Sequence, residues 1–220
     1  MIALATLLAA VGLADLVRRG GVVAGILVAV ALPLLLGAGW HTLWIAAVCT
    51  LVVVVWIDAT THRSRAGSVL LAVVGAALVL TSPGLTDRVS PLDDWYAGLP
   101  VPGLAGVPVD RAALGLGVLV FLTTAANTVV RQALTSVGPT LLAQEQTVEG
   151  GRLLGPLERW LVFAFAVGGH LGALGALVAA KGILRFPEIS RDSPDGSRAE
   201  YVLVGSFVSW TLALLLVPLF

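Results

Sequence analysis

The chain has 220 residues, of which 58% are hydrophobic and only 12% charged, with a mean hydropathy of +0.98, whereas soluble domains carry about 25% charged residues. One soluble core cannot hide that much apolar surface, but lipid can, because a helix facing hydrocarbon needs no polar side. Thirteen basic and thirteen acidic residues balance, which leaves no net charge for binding a polyanion and excludes nucleic acid as a partner.

With about 20 apolar residues needed per crossing, the expected fold is all-α, a polytopic transmembrane helix bundle in a single domain. Seven hydrophobic segments are predicted: Ile2–Val17, Gly21–Gly39, Leu43–Ile57, Ser68–Ser82, Ala112–Val130, Trp160–Ala180 and Tyr201–Leu219. The first, third and fourth are short for a straight span. No Lys or Arg precedes the first segment and Arg18-Arg19 follow it, an order that suits a retained span with Met1 outside rather than a signal peptide. Twelve of the thirteen basic residues are Arg, a bias that suits a GC-rich bacterium. The expected address is therefore the bacterial cytoplasmic (inner) membrane.

Asp15 stands three residues before Arg18, a spacing that lets a local pair neutralise it. Asp58 and His62 stand four apart at the end of the third segment, close enough on one helical face for a metal or a proton relay. Their neighbours Thr60, Thr61 and Arg63 make an ordinary polar helix exit the better reading. Cys49, the only cysteine, excludes an intrachain disulfide and a thiolate metal cluster. Neither a metal nor a cofactor is expected.

Residues 83–110 hold five prolines, four aspartates and the pair Trp95-Tyr96. Proline denies helix and the aspartates ask for water, so this stretch is predicted to be an extracytoplasmic loop. Residues 131–159, punctuated by Gly138-Pro139, Gly150-Gly151 and Gly155-Pro156, are predicted to be a cytoplasmic loop, with Leu141 to Gln146 lying in the interface. In the fifth segment Thr123, Thr124 and Asn127 are intramembrane polar groups whose ordinary role is to join helices.

The sixth segment admits two readings. If Trp160–Ala180 spans, seven basic residues lie inside and six outside; if it folds back at Gly168-Gly169-His170, the counts are eleven and two, which the positive-inside tendency favours. Against that, Ala164, Gly168, Gly172, Ala176 and Ala180 recur every four residues, a pattern that packs helices closely only along an unbroken helix. The spanning helix is the preferred expectation. His170 then lies mid-membrane, where a neutral imidazole needs a hydrogen-bond partner.

Glu158-Arg159 precede this segment, Lys181 and Arg185 follow it, and Glu200-Tyr201 open the seventh. Arg and Lys at such borders suit an anionic headgroup, and membrane lipid is the expected partner. On a spanning helix the two groups stand about 35 Å apart and form separate contacts; on a folded-back one they share a single pocket. No H-E-x-x-H, G-x-S-x-G or Walker sequence occurs, so zinc proteolysis, serine hydrolysis and P-loop chemistry have no support.

Gly155-Pro156-Leu157-Glu158-Arg159, Ala179-Ala180-Lys181 with Arg185-Phe186, and Glu200-Tyr201 with Gly205-Ser206 and Ser209 resemble, in that order, the C-terminal half of an uncharacterised bacterial membrane-protein family, a domain of unknown function. The resemblance runs from Asn127 to Ser209. Its members open with a helix carrying a His four residues before an Asp; Asp15 matches the Asp, but Val11 stands at the His position. The resemblance implies a fold type and a membrane address but no reaction. The expected function is a non-enzymatic small transport-type protein or a membrane subunit of a larger assembly, with a membrane-protein partner or a second copy. The alternatives are an intramembrane enzyme acting on an anionic lipid or isoprenoid phosphate, and a structural scaffold.

Overall fold

The computed structural model describes residues 1–17, 23, 26–27, 30, 40–62, 64–81, 93–104, 106–135, 137, 151–190 and 197–220. Among them the chain is helical, with no strand, and it divides into two units, Met1–Ala125 and Ala126–Phe220.

The first unit is built on α1 (Ile2–Val17), with α2 (Trp40–Thr61), α3 (Ala66–Thr81), the short α4 (Asp93–Ala97), a 3₁₀ turn at Pro102–Leu104 and α5 (Val109–Thr123). Helix α1 is the centre of this unit, packing on α5, α2 and α3, and Leu4, Leu7, Val11 and Ala14 are all buried. Its crossing with α5 is close because two glycines lie in it. A Cβ on Gly117 would stand 2.5 Å from the Ala5 carbonyl oxygen, and one on Gly12 would stand 2.8 Å from Val120 Cγ1 and 2.9 Å from its carbonyl carbon. Thr124 adds a polar tie, its hydroxyl donating to the Gly12 carbonyl at 2.6 Å, the helix-joining role expected for such a residue. Thr123 instead donates to Leu119 within its own helix.

Asp15 accepts a hydrogen bond from the indole Nε1 of Trp56 at 3.5 Å; its expected partner Arg18 lies outside the described residues. Asp58, in the last turn of α2, and His62, just past its end, are 3.5 Å apart, with side chains 71% and 73% exposed. Among the described residues no group of three or more His, Cys, Asp or Glu could hold a metal ion.

The second unit holds α6 (Ala125–Leu134, whose first residue closes the first unit), α7 (Gly151–Val167), α8 (Leu171–Ser190), α9 (Ser197–Leu215) and a closing 3₁₀ turn at Val217–Leu219. Helices α7 and α8 form an antiparallel hairpin against α9, and Phe163 meets Phe220 edge-on at 5.4 Å.

Among the described residues seven spans do not emerge. Two stretches, Leu43–Thr61 and Ala199–Leu219, are long and apolar enough to cross a membrane, and a third is reached only by counting Val109–Thr123 and Ala125–Leu134 together across the break at Thr124. Helices α1 and α3 have 16 residues each, about 24 Å at 1.5 Å per residue, short of a core about 30 Å thick. The third predicted segment is in turn longer than expected, since α2 runs 22 residues to Thr61. Most of Gly21–Gly39 lies outside the described residues, as do Leu141 to Gln146. The two predicted loops are narrower than expected: α5 begins at Val109, α6 continues to Leu134 and α7 already starts at Gly151.

The largest correction concerns the sixth segment, which is two helices. The Gly168 N–H donates to Ala164, Gly169 to Ala166 and His170 to Phe165, and Gly169 has φ +71°. This is the Schellman ending, in which the residue after the cap takes the left-handed conformation that glycine adopts without steric cost. The four-residue recurrence of Ala164, Gly168, Gly172, Ala176 and Ala180 therefore runs across a reversal of the chain and defines no single face. All five residues are exposed, and a Cβ on Gly172 would find no atom within 4 Å. His170 sits at the exposed tip of the hairpin rather than at mid-span. The expected result for Gly172→Ala is a detergent melting temperature equal to or slightly above that of the parent, since helix propensity gains up to about 1 kcal/mol and nothing is displaced. A marked drop would show that this face is packed.

Candidate functional site

The reversal at Gly169 brings together residues that an unbroken helix would hold apart. Lys181 on α8 forms an ion pair with Glu158 on α7, with side chains 15% and 14% exposed. Its ammonium also lies 5.1 Å from the ring centroid of Trp210 on α9, within the range of a cation–π attraction. Trp210 is steadied in turn by an edge-on contact with Phe207.

Next to this pair, Arg159 is the most deeply buried charge among the described residues, 2% exposed. Its Nη2–H donates to Asn127 Oδ1 on α6 at 2.5 Å and its Nη1–H to Ser209 Oγ on α9 at 3.2 Å. Gly155, one turn earlier on α7, leaves room for this fork: a Cβ there would stand 3.5 Å from Nη1 and 3.8 Å from Asn127 Oδ1. One charged layer thus draws on all four helices, with Asn127 from α6, Glu158 and Arg159 from α7, Lys181 from α8, and Ser209 and Trp210 from α9. A buried guanidinium keeps its charge only with such hydrogen-bonding partners, because leaving them unmade costs the full desolvation.

The depth of the layer follows from α9. Ser209 lies ten residues from either end of the apolar stretch Ala199–Leu219, about 15 Å at helical rise. The layer meets this stretch at its midpoint.

Of the residues expected to touch an anionic headgroup, Glu158, Arg159 and Lys181 come together, and Arg185, half-buried, stands one turn beyond Lys181 on α8. Their charges are turned on one another and on the neighbouring helices rather than outward as interfacial anchors. Asn127 joins them, whereas His170 does not. Ser209 and Trp210 were not singled out as site residues from the sequence. Ser209 enters the sequence reading only through the family resemblance and Trp210 not at all, and the register of α9 against α7 and α8 is what brings them to the layer.

The first unit holds a cavity of about 780 Å³ lined by Tyr96, Leu99, Pro100, Val107 and neighbouring residues; the Tyr96 hydroxyl is itself buried, with no hydrogen-bond partner among the described residues. Comparison with protein-family models, curated proteins and solved structures finds no match.

Proposed function

We propose that this chain is a polytopic bacterial inner-membrane protein of the transport type, and that the charged layer of its second unit is the working part. One observation carries the reading: Arg159 and the Glu158–Lys181 pair meet the apolar stretch Ala199–Leu219 at its middle. A charge at bilayer mid-depth costs about 2.5–3.5 kcal/mol on insertion scales, so such groups are retained where a solute or ion must be handled. A protein that only anchors itself needs none there. Exposed side chains such as Ile183, Leu184, Phe186, Phe207 and Leu215 suit contact with lipid tails. Arg152 in the first turn of α7, Arg191 in the link after α8 and Arg198 in the first turn of α9 suit a cytoplasmic position for this end of the helices.

Purified protein reconstituted on a solid-supported membrane tests this. Concentration jumps across a panel of small ions and charged solutes are expected to evoke a current in the parent. Arg159→Gln should remove it while eluting as a monodisperse species, and Gly172→Ala should leave it unchanged. A parent that is silent to the whole panel, or an Arg159→Gln protein as active as the parent, overturns the reading.

A second reading, a membrane subunit of a larger assembly, draws on the open face of α8, where Gly172, Gly175 and Gly182 have nothing within 4 Å of a built Cβ. Small residues on such a face admit close approach of another helix.

A further inference from the structure

The charges of the second unit are not spread evenly along its helices. In the α7–α8 hairpin the closed end is the tip at Gly168–His170 and the open end holds the start of α7 and the end of α8. Residues 160–180, which form the tip half, contain no Asp, Glu, Lys or Arg, and neither do residues 201–220.

The start of α9 lies on the open side as well. From Lys181 to Ser190 is about 13 Å of helix, and from Trp210 back to Ser197 about 20 Å. Had α9 started at the tip side, the link from Ser190 to Ser197 would have to cover about 33 Å, beyond the roughly 25 Å that seven peptide steps can reach. Helix α6 leaves the layer in the same direction, since Leu134, two turns past Asn127, packs where a Cβ on Gly205 would be 3.4 Å from its Cδ1. Arg131, Arg185 and Glu200 therefore stand on the open side of the layer, and Glu158, Arg159 and Lys181 form it. Those six are the charged residues of this unit whose side chains are described, four of them cations and two anions.

We propose that the charged layer is a one-ended site for a small oxyanion, entered from the side of the hairpin's open end and closed towards its tip. Charged side chains draw water, and here they line the approach from one side down to mid-depth. On the other side an apolar layer about 15 Å thick, the length from Lys181 back to Leu171, keeps water out. Over the whole unit acidic and basic residues balance, but within the layer itself two cations, Arg159 and Lys181, stand with one anion, Glu158, and that local imbalance favours an anion. The ammonium of Lys181 suits a carboxylate or phosphate oxygen, with Glu158 giving up Lys181 as the incoming anion takes it, while Arg159, whose Nη2 and Nη1 groups already donate to Asn127 and Ser209, adds its positive charge to the site. This deepens the transport reading, on which it rests for its purpose, but the entry side and the ligand class are read from charge placement and are tested without any flux.

The test uses the full chain with Cys49→Ala and one introduced thiol, in sealed phosphatidylcholine vesicles. Gly155→Cys puts its Cβ at ordinary contact distance from the guanidinium, and Ser206→Cys, one turn from Ser209 and Trp210, is a second reporter should the first fail to fold. Thr135→Cys marks the open side and Leu171→Cys the tip side. Two membrane-impermeant thiosulfonate reagents are applied from each face, one bearing a sulfonate and one a quaternary ammonium. The expected result is labelling of the reporter only from the face that labels Thr135→Cys, with the sulfonate reagent at least tenfold faster than the ammonium reagent. Arg185→Gln should bring that ratio down several-fold. Inorganic phosphate that slows labelling identifies a soluble oxyanion, and slowing only when phosphatidylglycerol is included identifies a lipid headgroup. Labelling from the tip side, labelling from neither face by both reporters, a faster ammonium reagent, or protection by neither phosphate nor phosphatidylglycerol would overturn the proposal.

Discussion

Replacing Lys181 by Met is expected to destabilise the protein by about 3–5 kcal/mol, and adding Glu158→Gln to the same chain to restore most of that loss. Removing one member of a buried ion pair leaves the other charge without its compensation, and that cost is of this size. Lys181 and Glu158 are 15% and 14% exposed, so water screens the pair only weakly. When both charges are gone, what remains lost is the pair's own attraction and the contact of Lys181 with Trp210, and the desolvation of both ions is recovered. The measurement is a double-mutant cycle on unfolding free energies in mixed micelles. A coupling energy of about 2 kcal/mol or more is expected, since neighbours that share one interaction are non-additive. Additive losses would show that the two side chains do not act as a pair.

The second large effect is expected in the first unit, where Gly117→Ala should cost about 3 kcal/mol or more while Gly75→Ala is neutral or mildly stabilising. Each change adds the same methyl group to a helix and removes the same entropic penalty of glycine, up to about 1 kcal/mol. They differ in what the methyl meets. At Gly117 it would stand 2.5 Å from the Ala5 carbonyl oxygen and 3.3 Å from that residue's Cα, so α1 and α5 must separate along their whole contact. At Gly75 the nearest atom is the end of the Leu4 side chain at 3.8 Å, an ordinary van der Waals distance. Overpacking against backbone has no rotamer to relax into. Thermal unfolding in detergent compares the two directly, and equal melting temperatures would mean that the α1–α5 crossing does not depend on the absence of a side chain there.

The two effects separate what each level of description carries. That the chain is helical and apolar was legible from composition alone, because 58% hydrophobic residues with 12% charged leave few other solutions. The polar residues Asn127, Glu158, Arg159 and Lys181 stood out for the same reason, since a charged or amide side chain amid apolar sequence is costly wherever it ends up. The reversal at Gly168-Gly169-His170 was present as a possibility, but a four-residue recurrence outweighed it. Periodicity counts residues and assumes a continuous helix; a single φ of +71° at Gly169 removes that assumption. Close helix packing through glycine does occur, at Gly12 and Gly117, which no repeat marks.

What only the tertiary structure decided is which residues meet. Ser209 and Trp210 lie 50 and 29 residues from their partners Arg159 and Lys181, and no local rule joins positions so far apart. The hairpin brings Glu158 to Lys181, and the register of α9 against it places Ser209 and Trp210 beside them. Composition sets the solvent a chain requires, because transfer free energies accumulate residue by residue. A site depends on the direction of a few backbone turns and on helix register, which are properties of the packed chain as a whole.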